Sequence, residues 1–154
     1  MKKLLSLLTI AVLIFLVAFS PKVKRKFSIV LIPDTQHYSF LFNETLDTYK
    51  KQMQWIRDNK DAENIKFVIH LGDITQHDSD DEWAVAREAQ TVLDNAKIPY
   101  SMLPGNHDYP GGGSFDSRNS AKYNQHFGPQ WFEIEEYQSW YGGHKGQTND
   151  NNYC

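Results

Sequence analysis

A chain of 154 residues, 40% of them hydrophobic, is enough for one modest domain. Its single cysteine is the last residue, Cys154, which excludes an internal disulfide framework and a thiolate metal cluster. The formal charge of −3 hides an asymmetry: from Phe27 onward, ten Lys and Arg stand against 19 Asp and Glu, a net −9 that disfavours nucleic-acid partners and favours cations.

The chain opens with MKKLLSLLTIAVLIFLVAF. Two lysines followed by an apolar run predict a secretory signal or an uncleaved membrane anchor, hence a domain exported to the outer face of a membrane or beyond it. Ala18 and Ser20 suit a cleavage site, but Pro21 would follow the cut and is a poor context for it, which keeps the anchor as an alternative. The basic run Lys22, Lys24, Arg25 and Lys26 reads as a linker facing lipid headgroups. Residues 1–26 are therefore set apart from a domain at 27–154.

Residues 27–32 form the first predicted strand, an apolar, β-branched run that hands over directly to Asp34, Gln36 and His37. Residues 45–59 form a helix, with Leu46, Tyr49, Met53 and Ile56 on one stripe. The second strand, 65–71, ends in Gly72-Asp73. The second helix, 80–96, buries Trp83, Ala86, Ala89, Val92 and Leu93, and Ser79 with Glu82 has the spacing of a capping box. This makes the acidic run 78–82 a helix start rather than a metal cluster. The third strand, 98–103, runs into Pro104-Gly105-Asn106-His107-Asp108. A single such ending is an ordinary turn, because Pro, Gly and Asn are turn residues.

Three endings of this kind carry more weight than one. The order β-α-β-α-β predicts parallel strands joined by right-handed crossovers. Their carboxyl ends then share one edge, where open α/β sheets bind ligands. Asp34, Asp73 and Asn106 converge on that edge. Two carboxylates there would repel unless a cation lay between them. Carboxylate, amide oxygen and imidazole suit Mn, Fe or Zn, and two such ions can clamp a phosphate.

The blocks Asp34-Thr35-Gln36, Gly72-Asp73 and Gly105-Asn106-His107-Asp108 resemble, in order and spacing, the first three signature blocks of the calcineurin-like metallophosphoesterases. The resemblance spans residues 27–109. It implies a two-sheet α/β sandwich, two divalent metal ions and hydrolysis of phosphoester small molecules. Carried over position by position, Asp34 and Gln36 would bind the first ion, Asp73 would bridge both, and Asn106 would bind the second. His107 would assist the leaving oxygen, with Asp108 orienting it.

Two departures stand out. Gln36 occupies the place of the usual histidine, and His37, one position on, would point elsewhere on an extended chain and is a candidate for the pocket rim rather than a ligand. The later Gly-His-x-His block is missing: in YGGHKG, Gly146 stands where its second histidine belongs. His144 is therefore expected in a loop near substrate, and His77, just past the Gly-Asp turn, is only a candidate for the pocket. His70 is expected buried and hydrogen-bonded in its strand, and His126 in a short helix. The chain is expected to hold a fragment, the first half of the family domain. Its C-terminal QTNDNNYC leads toward a strand that does not arrive, and one face of the sheet stays open, so the chain as it stands is weakly active or inactive. The competing readings are a non-catalytic exported α/β domain binding a metal or phosphate, and an anchored α/β module whose polar strand ends are only turns. The oligomeric state and the choice between mono- and diester are not legible.

Overall fold

The computed structural model describes residues 26–40, 46–111, 119–134 and 139–154. The apolar leader, most of the basic run, Thr45 and most of the loop after Pro110 lie outside the described residues. Three strands, β1 (Ser28–Ile32), β2 (Ile65–His70) and β3 (Tyr100–Met102), form a parallel sheet in the order β1-β2-β3. The crossovers are α2 (Leu46–Asn59) and α3 (Asp80–Asn95), preceded by the single turn α1 (Gln36–Ser39). The α/β expectation is met, with element order as read.

The periodicities explain the core. Tyr49, Met53 and Ile56 of α2 are buried, as are Trp83, Ala86, Ala89 and Leu93 of α3, and Val92 is half-buried. Leu46, also assigned to the α2 stripe, has a side chain outside the described set. These faces cover Ile32, Val68, His70, Tyr100 and Met102, buried positions of the sheet. The capping box forms in both directions: Ser79 Oγ accepts from the Glu82 amide, and Glu82 accepts from that of Ser79. β3 is shorter than the predicted 98–103. Lys97 turns the chain with φ +51°, and Pro99 and Pro104 have no N–H to give to a ladder.

The opposite sheet face is only partly covered. Ile29, Leu31 and Leu71 are 49%, 57% and 55% exposed, while Phe67 meets the edge of Trp140 at 5.9 Å. Among the described residues, the expected open face is present along β1 and at the end of β2.

Beyond β3 come α4 (Ala121–Phe127), which contains His126 as expected, and α5 (Pro129–Phe132). Two expectations need correction here. His144 is not in a loop: β4 (Gly143–His144) pairs antiparallel with β5 (Asn152–Tyr153). The C-terminal stretch thus does form a strand, though a short one. The physical reason lies in the glycines. A Cβ on Gly142 would come within 2.6 Å of the Tyr153 ring, and Gly143 sits at φ +131°. Asn152 then docks the hairpin on β3, through Ser101 Oγ and the Met102 carbonyl.

Candidate metal centre

The three polar strand endings meet at the carboxyl edge of the sheet, and Asp73 is where they touch. The Thr35 amide donates to the Asp73 carbonyl at 3.0 Å. The His107 amide donates to Asp73 Oδ1 at 3.1 Å. Asp73 itself sits at φ +50°, a left-handed conformation that Asp and Asn tolerate better than most residues. This turns its carboxylate back across the strand end.

Two glycines permit the approach. A Cβ on Gly105 would lie 2.1 Å from Asp73 Oδ1 and 2.3 Å from its backbone nitrogen. Gly72 has φ +100°, and a Cβ there would meet Gly105 N at 2.7 Å. Replacing Gly105→Ala should therefore push the third loop off Asp73. Overpacking of this kind costs about 1–3 kcal/mol, read by urea denaturation. A loss under about 0.5 kcal/mol, the range of an ordinary surface change, would show that the loops have room to spare.

On the first loop, both Asp34 oxygens are held by Gln36. Oδ1 accepts from its backbone N–H at 3.0 Å and Oδ2 from its Nε2 at 3.1 Å. That leaves Gln36 Oε1 buried and without a hydrogen-bond partner. A partnerless oxygen beside a carboxylate is a site a cation would satisfy. The donor set fits a divalent ion on that ground. Asn106 opens the 3₁₀ turn Asn106–Asp108 and is exposed. Among the described residues, no three His, Cys, Asp or Glu side chains gather to hold an ion. The donors here are two carboxylates and two amides, with no imidazole. Oxygen-only sets suit Mg or Mn better than Zn.

The third loop holds one correction. Asp108 was expected to orient His107, but its oxygens are taken by other donors. They accept from the backbone N–H of Ile74 at 3.0 Å, Thr75 at 2.7 Å and Gly105 at 2.8 Å, and from the Thr75 hydroxyl at 2.9 Å. Asp108 is fully buried and clamps the second loop to the third. Burial pushes its carboxyl up to about 6, against the pull of those four hydrogen bonds. His107 is oriented instead by the Gln76 carbonyl, 3.0 Å from its Nδ1. A carbonyl only accepts, so Nδ1 carries the hydrogen and Nε2 is left for other work.

The remaining histidines divide. His37 is exposed on α1. His77 is half-exposed, with Nδ1 3.0 Å from Glu82 Oε1. His144 lies by the Tyr141 hydroxyl and Glu133, in the C-terminal hairpin. His70 is buried as expected: the Gly72 amide donates to its Nδ1, and its Nε2 meets Thr35 Oγ1. Gln76, Thr75 and Thr35 were not singled out from sequence. Their parts are played by backbone groups or by hydroxyls within turns, which leave little signal in residue type. Glu82 was singled out, but only as a cap.

Comparison with known proteins agrees with this geometry. The profile of the calcineurin-like phosphoesterase family matches residues 27–153. Uncharacterized protein YvnB of Bacillus subtilis (strain 168) is 36% identical over 124 residues, which cover 80% of this chain and 9% of that protein. The chain thus spans about a tenth of that relative's length. No solved structure matches the chain. Among the described residues, no helix is long and apolar enough to cross a membrane.

Proposed function

The chain belongs to the calcineurin-like phosphoesterase family, and from that premise we propose that it hydrolyses phosphate esters of small molecules with the help of divalent metal ions. The observation that carries this reading is the convergence of the first and third loops on Asp73. Asp34 and Gln36 would hold one ion, Asn106 a second, and Asp73 would serve both. Bound ions would supply the Lewis acidity that polarises the phosphoryl group. With oxygen donors alone on these loops, Mn²⁺ is favoured over Fe or Zn²⁺.

The chain's own groups do the rest. Asp108 fixes the second and third loops against each other, so Asp73 and His107 keep one relative position. Gln76 fixes the His107 ring through Nδ1, and with a second ring hydrogen on Nε2 the imidazolium would donate that hydrogen to the leaving oxygen. The basic, apolar leader supports an exported domain, anchored if Pro21 blocks cleavage.

The test is hydrolysis of p-nitrophenyl phosphate and its bis-ester, supported by Mn²⁺ and abolished reversibly by a chelator. His107→Ala should leave Mn²⁺ binding unchanged and slow turnover by roughly 10²–10⁴-fold, most on poor leaving groups. Loss of metal without that leaving-group dependence would make His107 a ligand. A second reading is favoured by the lack of an acidic or imidazole triad among the described residues. In it, the domain binds one cation or phosphate and hydrolyses nothing. Mn²⁺ binding without any metal-dependent turnover would select it.

A further inference from the structure

His77 is held from three sides. Its backbone N–H donates to Glu82 Oε2 at 2.8 Å, and its ring Nδ1 meets Glu82 Oε1 at 3.0 Å. The edge of its ring meets Phe40 with centroids 4.7 Å apart. The Glu82 side chain is 2% exposed although it lies in the first turn of a helix, whereas that of His77 is 53% exposed. A buried carboxylate that accepts from an exposed imidazole does more than cap a helix. As an acceptor it keeps the hydrogen on Nδ1 and leaves Nε2 pointing away from the pair.

The position of the ring is equally specific. His77 follows Gln76, whose carbonyl fixes His107. Phe40 ends the turn that begins with Gln36, its amide bonded to the Gln36 carbonyl. The ring therefore stands between the segment carrying Gln36 and the one orienting His107. Two imidazoles, each tied at Nδ1 to an acceptor, have Nε2 available at the same end of the sheet.

We propose that His77 is a further phosphate-binding residue of this centre, with Glu82 as its positioning residue. Nε2 and a phosphoryl oxygen share one hydrogen, taken from the P–OH of the bound group. The proposal rests on the phosphoesterase reading and extends it to recognition of the phosphoryl group by a residue outside the three signature blocks.

The test uses the whole chain, Mg²⁺ as a diamagnetic ion and inorganic phosphate as probe. Long-range ¹H–¹⁵N spectra report the ring nitrogens of each histidine. Phosphate should shift Nε2 of His77 and of His107 together. His77→Gln, which leaves the capping bonds of Glu82 in place, should weaken phosphate binding about tenfold or more, as expected for a hydrogen bond to a charged group. Glu82→Gln should weaken it too, with the His77 nitrogens losing their single-tautomer pattern, an effect that a purely structural cap would not produce. If phosphate shifts His107 and leaves His77 untouched, the proposal falls while the phosphoesterase reading stands. If neither ring responds, both fall. Should Glu82→Gln unfold the start of α3, the His77→Gln titration decides alone.

Discussion

Asp73→Asn should reduce Mn²⁺-dependent turnover to background while leaving the thermal midpoint within a few degrees of the parent. The expectation follows from how Asp73 is held. Its φ of +50° is one Asn also adopts, so the backbone is not strained by the change. Its Oδ1 accepts from the His107 amide, and an Asn carbonyl oxygen can accept the same bond. Its main-chain carbonyl still receives the Thr35 amide. What disappears is the negative charge at the point where the loops meet. Losing one hydrogen-bond donor to a transition state costs roughly 10²–10³-fold. Losing the carboxylate proposed to serve both ions should exceed that, and Mn²⁺ affinity measured by electron paramagnetic resonance should fall with it. Gly105→Ala provides the contrast, since it should lower stability and metal affinity together. An Asp73→Asn protein that bound two ions tightly and turned over near the parent rate would remove Asp73 from the centre.

The elements that the sequence made legible are those whose side chains repeat with a period. Tyr49, Met53 and Ile56 on α2, and Trp83, Ala86, Ala89 and Leu93 on α3, were readable because burial recurs at helical spacing. The meeting of the three strand-end loops at Asp73, through the Thr35 and His107 amides, likewise follows from parallel strands. The illegible part is held by groups that residue type does not reveal. Gln76 acts through its carbonyl and Thr75 through its amide as well as its hydroxyl. The family resemblance made Asp108 the residue that orients His107, yet a short 3₁₀ turn aims it back at the second loop. The β4–β5 pairing was missed for a related reason. Two-residue strands have no alternation to read, and Gly142 and Gly143 read as loop until the Tyr153 ring is seen against them.

His70 should dominate the loss of stability in acid. Its ring is 1% exposed and its tautomer is fixed from both sides. The Gly72 amide donates to Nδ1 at 3.1 Å, so the hydrogen is on Nε2, which donates to Thr35 Oγ1 at 3.0 Å. Protonation would put a charge in the core and break the Gly72 bond. Burial accordingly lowers the ring from an ordinary 6.5 to about 3. Between those values the unfolded chain takes up a proton that the folded chain refuses, so stability is fully present above pH 6.5 and drains away as pH falls toward 3. At about 1.4 kcal/mol per unit, the drain reaches about 5 kcal/mol, a large share of the roughly 5–15 kcal/mol that holds a domain together. Asp108 works in the other direction. Its carboxyl, raised from 3.8 to about 6, takes up a proton in the folded state first, which adds stability as pH falls through that window. The two slopes oppose each other from about pH 6 to 4, and below about 4 only the His70 loss continues. The contributions of these two groups should therefore nearly cancel from pH 6 to 4 and turn sharply downward beneath it. His70→Asn keeps an acceptor for the Gly72 amide and removes the titration. It should start less stable at pH 7, yet lose less than the parent on acidification to pH 4, the surface carboxylates cancelling in the comparison. In the parent, the His70 ring resonances should stay unshifted from pH 8 to 4.5. A His70 that titrates near 6.5 in the folded protein would mean that water or a counter-charge reaches the ring, and the acid loss would then have to come from elsewhere.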